Sequence, residues 1–394
     1  MANDIEFTNM DFEEDKYSRF KLISWWDQDI LKNAKIMVVG AGALGNELVK
    51  NLALLGVGNV FVFDMDKIES TNLTRSVLFR MSDVGKYKAE VISERAEEIN
   101  PDVKVTPFIA NIIDDVGLGV YRRMDVVLGG LDNREARLSI NQNCYRVNKP
   151  WIDGAIEVLN GFARVFVPGQ GACYECTMTE TDWMLINKRK SCALLSNEQM
   201  NEGKIPTTPT SSSVIAGIQV QEMLKLLHSE RNLPILVGKG YVFNGLTHDS
   251  YVVEYQEKPD CMSHDIYPEI EEKQWSVHSE SIKTVADQIK SDMGENAIVE
   301  IDRDIATNAE CTCGESKVLL VPVHKLNASM LTCSKCGKQM RFNSKHIFDG
   351  TEEYSDKTFG EIGIPPLHVV KGRQGIETKY YEFTADYDLV FGKK

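Results

Sequence analysis

No apolar run in this 394-residue chain is long enough to cross a bilayer, so no membrane-spanning helix is expected. The start, Met-Ala-Asn-Asp-Ile-Glu, lacks the basic then apolar pattern of a secretory signal, so a cytoplasmic protein without a membrane partner is expected. Positive charge is also short: 44 Lys and Arg stand against 58 Asp and Glu, a net charge of −14. General attraction to nucleic-acid phosphates is thereby disfavoured, and a protein or small-molecule partner is expected instead. With 43% hydrophobic and 26% charged residues nothing suggests disorder, and the length suffices for two or three domains with real cores.

What is present begins with the run Lys35-Ile36-Met37-Val38-Val39, followed by Gly40-Ala41-Gly42-Ala43-Leu44-Gly45 and the helical pattern Leu44, Leu48, Leu52, Leu55. A strand, a glycine turn and a helix in that order bring backbone N–H groups to the positive end of a helix dipole, where an anionic phosphate can approach. A second strand, Val60 to Phe63, ends in Asp64, 19 residues past Gly45 (64 minus 45), where such units place a ribose-binding carboxylate. These residues alone leave NAD and ATP both open.

Strand and helix alternate from Lys35 to Asp132. A helix from Lys88 to Ile99 carries Ala89, Ile92, Ala96 and Ile99 on one face and ends at Asn100-Pro101; a strand near Val103 to Phe108 follows. The short run Asp125-Val126-Val127-Leu128 delivers Asp132 to the carboxyl edge of the sheet, where ligands of doubly wound folds sit. Beyond Pro150 antiparallel strands are expected over Phe162 to Val167 and Tyr241 to Tyr255, the latter broken by the hairpin pair Asn244-Gly245, with a helix around Ser211 to His228 between them. The charged, aperiodic stretch Gln256 to Gln274 places a boundary near its end. The expected units are residues 1–274, a Rossmann-like mixed α/β sheet, and 275–394, a small α+β domain.

With Arg75, Lys88 and Asp132 added, the first 265 or so residues resemble the ubiquitin-activating superfamily, whose bacterial members include ThiF, MoeB and HesA. The resemblance is carried by the glycine turn, Asp64-Met-Asp66, Asn72-Leu-Thr-Arg75, Gly85-Lys-Tyr-Lys88-Ala89-Glu90, Asp132-Asn133-Arg-Glu-Ala136-Arg137 and Cys173-Tyr-Glu-Cys176. It implies an enzyme that binds ATP and Mg²⁺ and adenylates the C-terminal glycine of a ubiquitin-like protein. By the same resemblance Gly40, Gly42, Gly45, Asp66 and Asn72 belong to the nucleotide site. Asp64 holds the ribose, Arg75 and Lys88 bind phosphates, and Asp132 holds Mg²⁺. Tyr17-Ser18-Arg19 looks like the family's Arg-Tyr-Ser-Arg segment, in which the last arginine reaches the neighbouring subunit's ATP, implying a homodimer. One departure is Ser76, where the family often has Gln; altered local hydrogen bonding without loss of activity is expected. Taken singly, Arg75 and Lys88 read as surface charges and Asp132 as the cap of the helix that follows.

Nine cysteines in a reducing compartment point to metal rather than disulfides. Cys173 and Cys176 form one Cys-x-x-Cys knuckle, and Cys261-Met-Ser-His264 repeats the spacing, a three-thiolate, one-imidazole set suited to structural Zn²⁺. The family commonly has a cysteine where His264 stands, so His264 also reads as an ordinary loop residue. Cys311-Thr-Cys313-Gly and Cys333-Ser-Lys-Cys336-Gly read as a zinc ribbon, against a chance cluster of reduced thiols. Cys144 suits a small core residue. Cys192, in Lys188-Arg-Lys-Ser-Cys192, has neighbouring cations that favour the thiolate. Its order before the Pro-Thr-Thr entry to the next helix resembles single-domain activating enzymes with a catalytic cysteine. A thioester on Cys192 and transfer to a conjugating enzyme are therefore expected, against a spare thiol in a basic loop. The rivals are adenylation of a sulfur carrier or small acid, a non-catalytic subunit of a heterodimer, and an NAD-dependent oxidoreductase, which would leave Arg75, Lys88 and Asp132 without work.

Overall fold

The computed structural model describes residues 15–192 and 206–392, with side chains throughout except at 187–192. Among the described residues the first α-helix is α1 (Gln28–Asn33), followed by β1 (Lys35–Val39), α2 (Ala43–Leu55), β2 (Asn59–Phe63), α3 (Lys88–Ile99), β3 (Lys104–Phe108), α4 (Leu118–Arg122), β4 (Val126–Gly129) and α5 (Arg134–Arg146). It continues with β5 (Trp151–Glu157), β6 (Asn160–Phe166), α6 (Glu180–Cys192), α7 (Pro209–Leu227), β7 (Lys239–Asn244) and β8 (Asp249–Glu254). These strands form one sheet in the order β3-β2-β1-β4-β5-β6-β7-β8, parallel as far as β5 and antiparallel from there to the β8 edge.

The central strand explains the layering. Ile36 and Val38 face one way, Met37 and Val39 the other, and all four are buried, as a parallel strand covered on both faces requires. The first pair packs under α2, α3 and α7, where Leu44, Leu48 and Leu52 keep the four-residue spacing of one helix face. The second pair packs with Phe61, Phe63 and Trp151 against α4 and α5.

The second sheet takes in β9 (Ile270–Lys273), so the chain enters it five residues before Trp275. A four-residue strand inside a charged stretch has no periodicity to read. Then come α8 (Ile282–Met293), β10 (Ile298–Glu310), β11 (Ser316–Pro322), β12 (Arg341–Phe348), β13 (Val369–Gln374), β14 (Glu377–Phe383) and α9 (Tyr387–Phe391). The strand order is β11-β10-β13-β14-β9, with β12 also paired to β10, and α8 buries Ile282, Val285, Ala286 and Ile289 against it.

The two sheets share buried contacts. Glu382 of β14 is fully buried and accepts from Arg122, the last residue of α4, and from Arg123, its C-cap. Tyr387, Val390 and Phe391 of α9 pack back on the first unit, with the Phe391 ring 5.4 Å from that of Phe61 at 90°. Among the described residues no helix is long and apolar enough to cross a membrane.

Candidate functional site

Because β1 has β2 on one side and β4 on the other, the strand order reverses at β1, and ligands of open α/β sheets bind at the carboxyl end of such a switch point. Two glycine loops meet there. Gly40 leaves β1 with φ +94°, and a Cβ on it would lie 2.6 Å from the carbonyl oxygen of Gly130, which follows β4. A Cβ on Gly45 would lie 1.9 Å from the Gly40 oxygen, so the first turn of α2 closes onto the glycine turn only with glycine there. Gly42, by contrast, has nothing within 4 Å of where its Cβ would be. It is also the N-cap of α2, with no side chain capping the helix and no acid in the first turn. Free first-turn N–H groups beside open space are what an anionic phosphate needs.

Asp64 follows β2 and lies beside this turn. Its carboxylate accepts from the Ala41 N–H at 2.7 Å and the Asp66 N–H at 2.8 Å. Burial raises the Asp64 pKa, opposed by Lys88 and by these two donors. Lys88, the first residue of α3, is largely buried and reaches Asp66 at 2.8 Å, while Asp66 itself is exposed. Arg75 is half-buried and donates to the Thr71 carbonyl at 2.8 Å. Asn72 accepts from the Glu69 N–H at 2.9 Å, fixing the loop that carries Arg75. Ser76 is buried, and its Oγ has no hydrogen-bond partner among the described residues.

Asp132 lies after β4 on the same edge and is exposed, with no ion pair among the described residues. It is not a cap: Asn133 is the N-cap of α5 and accepts from the Glu135 N–H at 2.9 Å. That leaves the Asp132 carboxylate available to a ligand.

Arg19 is exposed and lies elsewhere. The adjacent Tyr17 packs over Gly56 at the far end of α2, and its hydroxyl accepts from Asn100 Nδ2 at 2.8 Å. Thirteen helical residues separate the two ends of α2, roughly 20 Å at 1.5 Å per residue, so Arg19 does not belong to the glycine turn of its own chain. The backbone of α6 ends at Cys192, whose side chain lies outside the described residues.

Both cysteine groups are assembled. In the first, Cys173 Sγ lies 3.7 Å from Cys176 Sγ and 3.5 Å from Cys261 Sγ, and His264 Nε2 lies 3.4 Å from Cys176 Sγ. Four ligands at zinc distances around a tetrahedron hold sulfurs about 3.8 Å apart, so the donor set fits Zn²⁺. Burial pushes the Cys173 and Cys261 thiols up, which a bound cation would reverse. Outer contacts support the ligands: the Lys258 N–H donates to Cys176 Sγ at 3.4 Å, Glu257 lies 3.5 Å from His264 Nδ1, and the Tyr145 ring stacks on His264 at 4.8 Å. In the second group Cys311 and Cys336 lie 3.4 Å apart and Cys313 and Cys333 3.6 Å, with the Cys313 N–H holding the Cys311 thiol down at about 6. Each set of four donor atoms lies within 4.8 Å. All eight described cysteines are free thiols; Cys144 is fully buried and belongs to neither group.

Sequence reasoning gave no role to a buried trio beneath Asp132: Arg137, Asp153 and Arg164. Arg137 stands in the run that begins at Asp132, but Asp153 and Arg164 become opposite partners only through the β5–β6 register. No local pattern announces that pairing.

The ThiF family signature matches residues 14–263. The NEDD8-activating enzyme E1 catalytic subunit of Arabidopsis thaliana is 42% identical over 163 residues, covering 38% of this chain and 36% of that protein. Ubiquitin-like modifier-activating enzyme 5 of Dictyostelium discoideum is 29% identical over 245 residues, covering 59% and 61%. The chain thus spans between about a third and three fifths of the length of these curated relatives. Among solved structures, E. coli MccB with ATP aligns at a TM-score of 0.54 with 28% identity, over 65% of this chain and 75% of that one. With the signature covering more than half of its residues, the chain belongs to the ThiF family.

Proposed function

We propose that this protein activates a ubiquitin-like protein: it consumes ATP to adenylate a C-terminal glycine, then carries the acyl group as a thioester on Cys192. A carboxylate oxygen of the glycine attacks the α-phosphorus, the bond to the bridging oxygen of the β-phosphate breaks, and pyrophosphate leaves. The Cys192 thiolate then attacks the acyl carbon, AMP departs, and a conjugating enzyme's cysteine takes the acyl group by thioester exchange.

The observation that supports this function is an uncapped helix N-terminus with Asp64 beside it, Lys88 paired to Asp66 two residues further on, and the exit of β4 towards Asp132 closing against Gly40. Asp64 would hold the ribose hydroxyls. Arg75 and Lys88 would meet the charge that develops on the phosphates, Lys88 giving up part of its pairing with Asp66. Asp132 would hold Mg²⁺, which neutralises phosphate charge when bound. Hydride transfer would give these cations and Asp132 no task. The relatives named above as NEDD8-activating and ubiquitin-like modifier-activating enzymes support the substrate class. Arg19 would serve the ATP of a second copy in a homodimer, consistent with its place far from its own glycine turn. Both cysteine groups would hold structural Zn²⁺, and a reducing cytoplasm would keep their thiols available.

ATP–pyrophosphate exchange that depends on a glycine-terminated ubiquitin-like protein tests the first step. Asp132→Asn or Arg75→Ala should lower exchange by about 100-fold; exchange that survives both substitutions unchanged overturns the assignment. Cys192→Ala should keep exchange and lose the thiol-sensitive adduct. Exchange in the wild type without any such adduct would indicate sulfur-carrier activation instead.

A further inference from the structure

Asp132 sits in a short irregular link between β4 and α5, and an exposed carboxylate on such a link samples many directions unless the backbone beneath it is fixed. The link is tied at its start, where the Gly130 N–H donates to the Val39 carbonyl at 2.8 Å, and at its end by the Asn133 cap. Its middle is held by Arg137. The Arg137 guanidinium, one turn into α5, donates through Nη2 to the carbonyl of Leu131, and the same nitrogen reaches the Gly154 carbonyl of β5 at 3.2 Å. The Leu131 carbonyl belongs to the peptide that leads directly into Asp132, so this contact sets the plane from which the Asp132 side chain departs.

Arg137 is itself positioned. Its Nε lies 3.0 Å from Oδ1 of the fully buried Asp153, a charge pair outside hydrogen-bond geometry. The other oxygen of Asp153 accepts from Arg164 at 2.5 and 3.1 Å. Arg164 in turn lies between the Phe162 and Tyr174 rings, 4.6 and 4.9 Å from their centroids, and donates to Thr177 Oγ1 at 3.1 Å. A planar, always charged fork is suited to bridging two carbonyls and a carboxylate at once, whereas lysine offers a point charge. This trio has no need to touch substrate to matter.

We propose that Arg137 is a positioning residue for Asp132: locked by Asp153 and Arg164, it fixes the Leu131–Asp132 peptide so that the Asp132 carboxylate meets the divalent cation of a bound nucleotide. The assignment rests on the adenylation function proposed above. Its consequence is selective, because Arg137 acts on the metal-dependent part of nucleotide binding and leaves the contacts of the glycine turn, Asp64 and Lys88 in place. Loss of an outer partner of a metal ligand costs about 10–100-fold in metal affinity.

The test measures the Kd of the full chain for AMPCPP by calorimetry, with saturating Mg²⁺ and with EDTA, beside thermal melts. In the wild type Mg²⁺ should tighten binding; in Arg137→Lys that tightening should shrink by ~10-fold or more while the EDTA value stays within about twofold. Asp132→Asn should reproduce the pattern. Arg137→Gln, which leaves Asp153 paired with Arg164, supplies a second variant should Arg137→Lys fail to fold. Either arginine variant that keeps the full Mg²⁺-dependent gain overturns the proposal, as does a parallel loss with and without Mg²⁺, the mark of a merely structural role. Failure of the wild type to bind AMPCPP overturns the adenylation site itself, a distinct result.

Discussion

The two cysteine groups share a ligand count and differ in what surrounds them. Cys173 and Cys176 are buried, Cys261 and His264 half-buried, and the set sits against Tyr145 of α5, with Thr177 next to Cys176 reaching Arg164. Cys313 and Cys336 of the second group are exposed, and its small core holds only Ala309, Cys311, Leu331, Cys333 and Met340, with a few half-buried neighbours. A metal in the first group would clamp residues about 90 positions apart inside an existing core, from Cys173 to Cys261, whereas a metal in the second would be most of the core it has. The same chemistry would thus support the first unit in one place and stand almost alone in the other.

The sharpest way to break this comparison is to remove one ligand from each group. Cys176→Ser should lower the Tm by more than about 2 °C, equivalent to at least ~2 kcal/mol in a chain of this size, and abolish AMPCPP binding. Cys313→Ser should release one metal equivalent and leave AMPCPP affinity within about twofold. Calorimetry and metal analysis read both, and equal loss of nucleotide binding in the two variants would erase the distinction. A smaller effect separates the groups in time. A chelator should extract metal in two phases, the fast one from the ribbon with its exposed thiolates, and Cys313→Ser should show the slow phase alone. Smallest is His264→Cys, which should retain both metal equivalents and cost about 0.5–1.5 kcal/mol, the worth of the lost ring stack with Tyr145. Loss of metal from that variant would mean that the imidazole, not the fourth donor as such, completes the site.

Much of this was legible because it is local. The glycine turn, Asp64, the α3 face and the hairpin at Asn244-Gly245 each lie within one stretch of chain, and glycine and apolar spacing encode them directly. Both cysteine groups could be read across a distance because cysteine pairs at metal spacing are rare by chance. Asp132 was placed on the correct edge, although the neighbouring Asn133, rather than Asp132, turned out to cap α5. What stayed hidden depends on pairing between distant segments. β9 has four residues and takes its place only through β14. Asp153 meets Arg164 through strand register, and Glu382 meets Arg122 and Arg123 across some 260 residues of chain. Single charged residues carry no spacing signal, so their partners emerge only once the sheets exist.

The seating of α9 on Phe61 has a consequence for how the molecule is made. Phe61 precedes Phe391 by 330 positions (391 minus 61), so the edge-on ring of α9 reaches it only after both cysteine knuckles of the second unit have been synthesised. During translation that face has Phe108 beside Phe61 but lacks the Phe391 ring, and the apolar surface left by its absence is open to chaperones or to wrong partners. Completion of the first unit's packing is thereby tied to completion of the second, and a chain stalled before α9 would lack the edge-on contact at Phe61.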